Sequence, residues 1–459
     1  MSIQVKELPS PAGLPVLGNL HQLNPKRLHQ ILEGWASELG PLYSFRFGPR
    51  TALALSDRPL IEEVLRNRPE PWRRLSSVEA VFDELSIPGV FSAEGTAWRA
   101  QRRLAMEALS YHRLKAFYPT LRAAAARLRR RWASRPEGEA VDIGDDFKRF
   151  TVDVTSHLAL GYDVNTLERE DDPIHRRIES VFPAINRRLN ALVPYWRWLR
   201  LPADRQVDAD IAALRPWLAR LIDEARKKLA ADASREPANL LEAMIAARDE
   251  HGEPYSDEVI FGNAITMLLA GEDTTANTLA WAVHELCDQP QAVTALRREL
   301  DDVLGTDPIP AEETTVNQLS YAAAVANEAM RLRPVAPIIF IEATRDTSIG
   351  NLKVAKGTPV FVLTRPPALD PYAFAAPTEF RPERWLNPPA VHEPRAHLPF
   401  GSGPRICPGR SLALLELRLV LATLYQGFEV TRAVPATDVR EEFSFTMFPA
   451  GLSVHLRPR

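Results

Sequence analysis

Apolar positions recur along this chain with two different periods. Tyr43, Phe45 and Phe47 fall on one face of an alternating run, a turn at Gly48 and Pro49 follows, and TALAL resumes the alternation; this predicts a β-hairpin. Ahead of it, after a proline-rich entry, 28–39 carries helical spacing. The helical period then dominates from 59 to about 332, in segments such as LRAAAARLRRRW and IAALRPWLARLIDEARKKL separated by short proline or acidic turns. Beyond Pro334 the texture changes to the β-branched runs PIIFIEAT, NLKV and TPVFVL. Irregular proline-rich chain continues through Pro399, and a last helix begins at about Gly409. If the early hairpin pairs with the late strands, a small sheet lies beside a large helical body. The expected fold class is mainly α with a small β-sheet region. Its β-rich parts fall at about 40–56 and 335–365, within one interwoven domain over 1–459.

Composition removes several function classes. Hydrophobic residues at 45%, charged residues at 25% and a formal net charge of -3 describe an ordinary globular protein with no pull toward nucleic acid. The 39 prolines are scattered, so they read as rigid turns rather than a disordered linker. Near the start, Lys6, Glu7, Pro9, Pro11 and Pro15 break any apolar export segment. The clearest stretch for membrane depth, 264–271, is closed by Asn263 and Glu272, far short of the roughly 20 residues a span needs. Two lone cysteines, Cys287 and Cys407, do not make a disulfide framework. A soluble, cytoplasmic monomer without a membrane span is expected.

The candidate chemistry starts at Cys407. Glycines and prolines at Gly401, Gly403, Pro404, Pro408 and Gly409 make a turn-rich loop, and an apolar helix follows at once. A sulfur just before a helix N-terminus is expected to have a lowered pKa, and a thiolate is the form that binds a metal. Cysteine type alone fits a small buried thiol. A nucleophilic thiol needs a partner histidine, and His392 and His397 precede it in irregular chain.

FGSGPRICPG resembles the FxxGxRxCxG signature of the cytochrome P450 superfamily, with Phe400, Gly403, Arg405, Cys407 and Gly409 at the fixed positions. The resemblance implies haem b (iron protoporphyrin IX) with Cys407 as axial ligand, Phe400 packed near the sulfur, Gly409 in the cofactor loop and Arg405 on a propionate. A thiolate ligand favours O–O cleavage. Pro408 departs from residues that could offer the sulfur an N–H, so donor counting predicts a more electron-rich sulfur.

Three further constellations occur in the family's order. In WRAQRR, Trp98 and Arg102 stand four apart on one helix face and resemble the WxxxR propionate clamp. A long proline-free helix is predicted over 257–289, capped by Ser256 and ended by Pro290, and its AGEDTT centre has poor helix propensity. Its hydroxyls could merely bond back to the preceding turn. The centre also resembles the family's distal [AG]GxDT motif, which implies Asp273 as the acid and Thr274 as the alcohol of a proton relay. Glu328 and Arg331 in NEAMRLRP share a helix face and resemble ExxR, with Arg384 of FRPERW completing a structural network.

The apolar residues Phe91, Met267, Leu268, Ala270, Val335, Ala336 and Ile338 are the expected substrate walls. Arg50 fits either a channel mouth or a solvated turn. Tyr195, Trp196 and Trp198 fit a lid or buried packing rather than a membrane contact. The implied activity is O2-dependent hydroxylation or epoxidation of a terpenoid, fatty acyl chain, steroid or polyketide. Without a dinucleotide or flavin fingerprint after the cysteine helix, a separate ferredoxin- or flavodoxin-type donor with its reductase is expected. A peroxide-driven enzyme and a non-catalytic haem sensor are the alternatives.

Overall fold

In the computed structural model, which describes residues 3–459 apart from 170, 171, 192, 233–235 and 250, the hairpin forms where the alternation places it. Leu42–Phe47 pairs antiparallel with Arg50–Leu55. Phe45 then stacks on Phe47 and Phe361 at 5.0 and 5.3 Å between ring centres, so one aromatic face of the hairpin makes core. The second strand runs parallel to Pro359–Leu363, with Leu53 opposite Val360. Pro359–Leu363 in turn pairs antiparallel with Ile338–Ala343. The two ends of the sequence therefore share one sheet, as expected.

Several parts of the β structure fall outside the expectation, among them the two-residue strands Ile3–Gln4 and Ala140–Val141. Trp72–Arg74 is a fifth strand of that sheet, with Trp72 opposite Ala343. It lies inside the region read as helical, because three residues are too few to show a period of two. After the last helix, Phe428–Arg432 pairs with Val454–Pro458, and Arg440–Phe443 pairs with Met447–Ala450. The hydroxyl of Thr446 accepts from Asn277 Nδ2 at 3.0 Å, and Met447 O accepts from Trp281 Nε1 at 3.3 Å. These two bonds pin the tip of the late hairpin to the long helix that carries Asn277 and Trp281.

That helix, Asp257–Leu286, begins where Ser256 Oγ accepts from the Val259 N–H at 3.4 Å. It stops a turn earlier than predicted. Pro290 opens the next helix, Pro290–Leu304, where its missing N–H costs nothing. The long helix packs along Ile143–Leu160 so closely that a Cβ on Gly271 would lie 2.2 Å from Thr155 Cγ2. Glycine is needed there for the approach of two helices, which outweighs its poor propensity. Cys287, just past the helix end, is a partly buried thiol pushed up to about 11 by burial. Among the described residues no helix is long and apolar enough to cross a membrane.

Candidate functional site

A cavity of about 1930 Å³ separates the long helix from the loop that precedes the final helix, Arg410–Gly427. Cys407 lines it, and its exposed surface faces this interior space rather than the outside of the molecule. The loop closes on itself where the Cys407 N–H donates to Phe400 O at 2.9 Å. Gly403 has φ +71°, and a Cβ there would lie 2.2 Å from Leu65 O, so only glycine lets the loop rest on the preceding segment. Burial raises the Cys407 thiol pKa, while the backbone N–H groups of Gly409 and Arg410 and the Arg102 guanidinium act the other way. Burial wins, which corrects the lowered value expected from the helix N-terminus alone.

Behind this loop, Glu328, Arg331 and Arg384 meet as the spacing and resemblance suggest. Glu328 Oε1 accepts from Arg331 Nη2 at 2.8 Å and from Arg384 Nε at 2.9 Å. Its Oε2 accepts from Arg331 Nε at 3.0 Å and from Trp385 Nε1 at 2.9 Å. The remaining guanidinium donors reach the carbonyls of Ala368, Pro377, Ala375 and Ala376. Every part of a fully buried charge set is thereby matched, the condition under which such a set is tolerable. Trp385 carries a bond that sequence reasoning missed.

Across the cavity, Thr274 lines the wall and its hydroxyl donates back to Ala270 O at 3.0 Å. The back-bonding reading is thus correct for the geometry, and the helix continues through it. Asp273, one residue earlier, turns away toward Ile143–Leu160, where Lys148 Nζ lies 3.2 Å from Oδ1. Burial pulls the Lys148 ammonium down, but Asp273 and the neighbouring Glu272 and Asp145 outweigh it and its pKa rises. Lys148 was not legible because its partner lies far along the chain. Thr275 also lines the cavity and bonds Glu416 of the final helix, whose carboxyl is pushed up to about 8 by burial. Glu416 Oε1 has no partner.

Of the expected pocket walls, Phe91, Met267, Ala270, Val335, Ala336 and Ile338 all line the cavity. Leu268 does not: it is 3% exposed and buried in the apolar packing with Phe261 and Ile265. On a helix Met267, Ala270, Gly271 and Thr274 share one face, and position 268 is rotated about 100° from its neighbour. Phe445, at the tip of the late hairpin, was missed; it stacks on Phe91 at 5.7 Å and on Phe182 at 5.2 Å. Arg50 stands exposed on the cavity's rim. The aromatic cluster divides, with Trp196 buried and bonded to Glu84 while Trp198 is exposed.

One wall is cationic. Trp98 and Arg102 line it together, and Arg102 Nη2 donates to Ile406 O. Arg405 stacks over the Trp98 ring at 4.2 Å and pairs with Glu94. Two arginines that the sequence reading passed over, Arg68 and Arg74, line the same wall. Burial lowers the pKa of Arg74 to about 9 and that of Arg405 to about 10.

The cytochrome P450 family model matches residues 8–455, so the chain belongs to the cytochrome P450 family, whose cofactor is haem. It is 28% identical to a bifunctional cytochrome P450/NADPH–P450 reductase of Bacillus subtilis, over 99% of this chain and 43% of that protein. It is 31% identical to cytochrome P450 93G1 of Oryza sativa subsp. japonica, over 92% of this chain and 84% of that protein. A self-sufficient cytochrome P450 monooxygenase of Penicillium freii is 28% identical, over 97% of this chain and 42% of that protein. The chain thus spans less than half the length of the first and third of these relatives. Its residues fit the family's cofactor: a thiol and a set of buried guanidiniums face the same cavity, and several guanidinium donors, Arg405 Nε among them, have no partner in the protein.

Proposed function

We propose that this protein is a monooxygenase that uses O2 and two electrons to hydroxylate or epoxidise an apolar small molecule. The observation that carries the reading is the placement of the Cys407 sulfur and the Thr274 hydroxyl on one largely apolar cavity. Bound haem b would supply the activation of O2 at its iron. Cys407 would hold the iron through its thiolate, with the Gly409 and Arg410 N–H groups donating to the sulfur. Phe400 and Gly409 would shape the cofactor loop, and Trp98, Arg102 and Arg405 would hold propionates.

On the opposite wall, Thr274 would hold a proton donor at its Oγ1, with Asp273 and Lys148 as the charged pair behind it. Phe91, Met267, Ala270, Val335, Ala336 and Ile338 would exclude water and orient the substrate. Glu328, Arg331 and Arg384 would keep the cysteine loop rigid, in one domain over 1–459. Terpenoids, fatty acyl chains, steroids and polyketides share the required apolarity. We place the electron source in a separate ferredoxin or flavodoxin type donor; the Bacillus relative is, by its name, joined to a reductase.

The test is the absorbance of the reduced carbon monoxide complex. A strongly red-shifted Soret band is expected for the parent, and its loss in Cys407→Ala. A histidine-type spectrum in the parent would defeat the reading. Turnover with peroxide alone, and none with a donor and reductase, would make the protein a peroxide-driven enzyme instead.

A further inference from the structure

Resting on the haem reading above, we infer that Arg68 and Arg74 are the principal receptors of the cofactor's two carboxylates and work beside Arg102 and Arg405. Arg68 is 5% exposed, and its Nε and Nη2 have no hydrogen-bond partner. Arg74 Nε is likewise buried and unmatched. A guanidinium left buried with empty donors is strongly unfavourable, so native structures keep one where a further acceptor completes it.

The wall holds Arg74 in a fixed plane. Its guanidinium lies 3.7 Å from the centre of the Phe91 ring, which takes one face and leaves the planar edge of donors free. Its backbone N–H donates to Glu94 Oε1 at 3.0 Å, and the other oxygen of Glu94 pairs with Arg405. Glu94 therefore ties the short strand Trp72–Arg74 to the cysteine loop. Arg68 lies in the segment between Leu65, whose carbonyl rests against Gly403, and that strand. Arg68, Arg74 and Arg405 feel one another's charge and that of Glu94.

With Arg102, four guanidiniums face one carboxylate, and two more carboxylates leave a single positive charge in excess. Planar forks of this kind match carboxylates in pairs. Because Arg74 also supports Phe91, one residue serves the cofactor and the substrate wall.

The experiment follows haem transfer from the holoenzyme to an excess of a haem-scavenging apoglobin, for the parent, Arg68→Leu and Arg74→Leu. Release is expected to quicken on the order of tenfold in each Leu variant, the size of one charged hydrogen bond lost. The iron's reduction potential is expected to fall in the same variants. Arg68→Lys and Arg74→Lys, which keep charge without the fork, should release haem at an intermediate rate with a potential near the parent's. They also cover a Leu variant that fails to fold. Loading parent and variants with haem dimethyl ester, which lacks the carboxylates, should make the release rates equal. Unchanged release of haem, or equally faster release of the ester, would overturn the assignment. A parent that takes up no haem would overturn the functional reading instead.

Discussion

Two clusters of buried arginines sit on either side of the cysteine loop, and they differ in how completely their donors are matched. Around Glu328, every nitrogen of Arg331 and Arg384 reaches a carboxylate or carbonyl oxygen. Around Glu94, the donors of Arg68, Arg74 and Arg405 remain partly empty. The same side chain has opposite meanings in the two places. A closed set holds the fold together, whereas an open set has the geometry of a receptor.

Breaking the closed set should have the largest effect. Glu328→Gln leaves two buried guanidiniums short of charge, with an expected loss of roughly 3–5 kcal/mol. Thermal unfolding of the holoenzyme measures it, and a melting temperature equal to the parent's would remove the distinction between the clusters. In the open set, Glu94→Gln should lose about 2 kcal/mol, since it gives up one charge-assisted bond but leaves cations that bound carboxylates can still match. The reduction potential should rise there, opposite to the arginine variants.

Glu416 sharpens the comparison as a buried group with one oxygen bonded and one empty. Its pKa of about 8 lies above the usual carboxylate range, so the native state holds a proton that the unfolded chain gives up. Its contribution to stability is full at acid pH and is lost as pH rises toward 8. Glu416→Gln should therefore gain on the parent in melting temperature between pH 4, below the unfolded carboxyl's ordinary value, and pH 8. Parallel pH profiles would show that this carboxyl does not titrate as its burial implies.

Trp385→Phe removes one bond to Glu328 while keeping a ring, with an expected loss of about 1 kcal/mol by thermal unfolding. The smallest effect belongs to Pro408→Ile, which restores an N–H beside the sulfur. Its reduction potential should rise slightly, and a fall would defeat the donor-count argument.

What the sequence revealed about these regions follows their spacing. Trp98 and Arg102, Glu328 and Arg331, and Phe400 to Cys407 are local patterns, and each was legible because its members lie within one helix face or one loop. Lys148, Glu416, Arg68, Arg74 and Phe445 were not, because each meets its partner across a tertiary contact with no local period. Leu268 was placed on the wrong face because a run of apolar residues does not reveal which side of a buried helix looks into a cavity.

By itself, the sequence determined the hairpin, the long helix, the ordered motifs and the sulfur at Cys407, since these depend on steric periods and short-range spacing. Only the tertiary structure decided which buried charges are complete and which are open. Desolvation and hydrogen-bond matching are properties of groups brought together from distant parts of the chain. The pKa of Cys407 belongs to the same class: the helix N-terminus was visible in the sequence, and the burial that outweighs it was not.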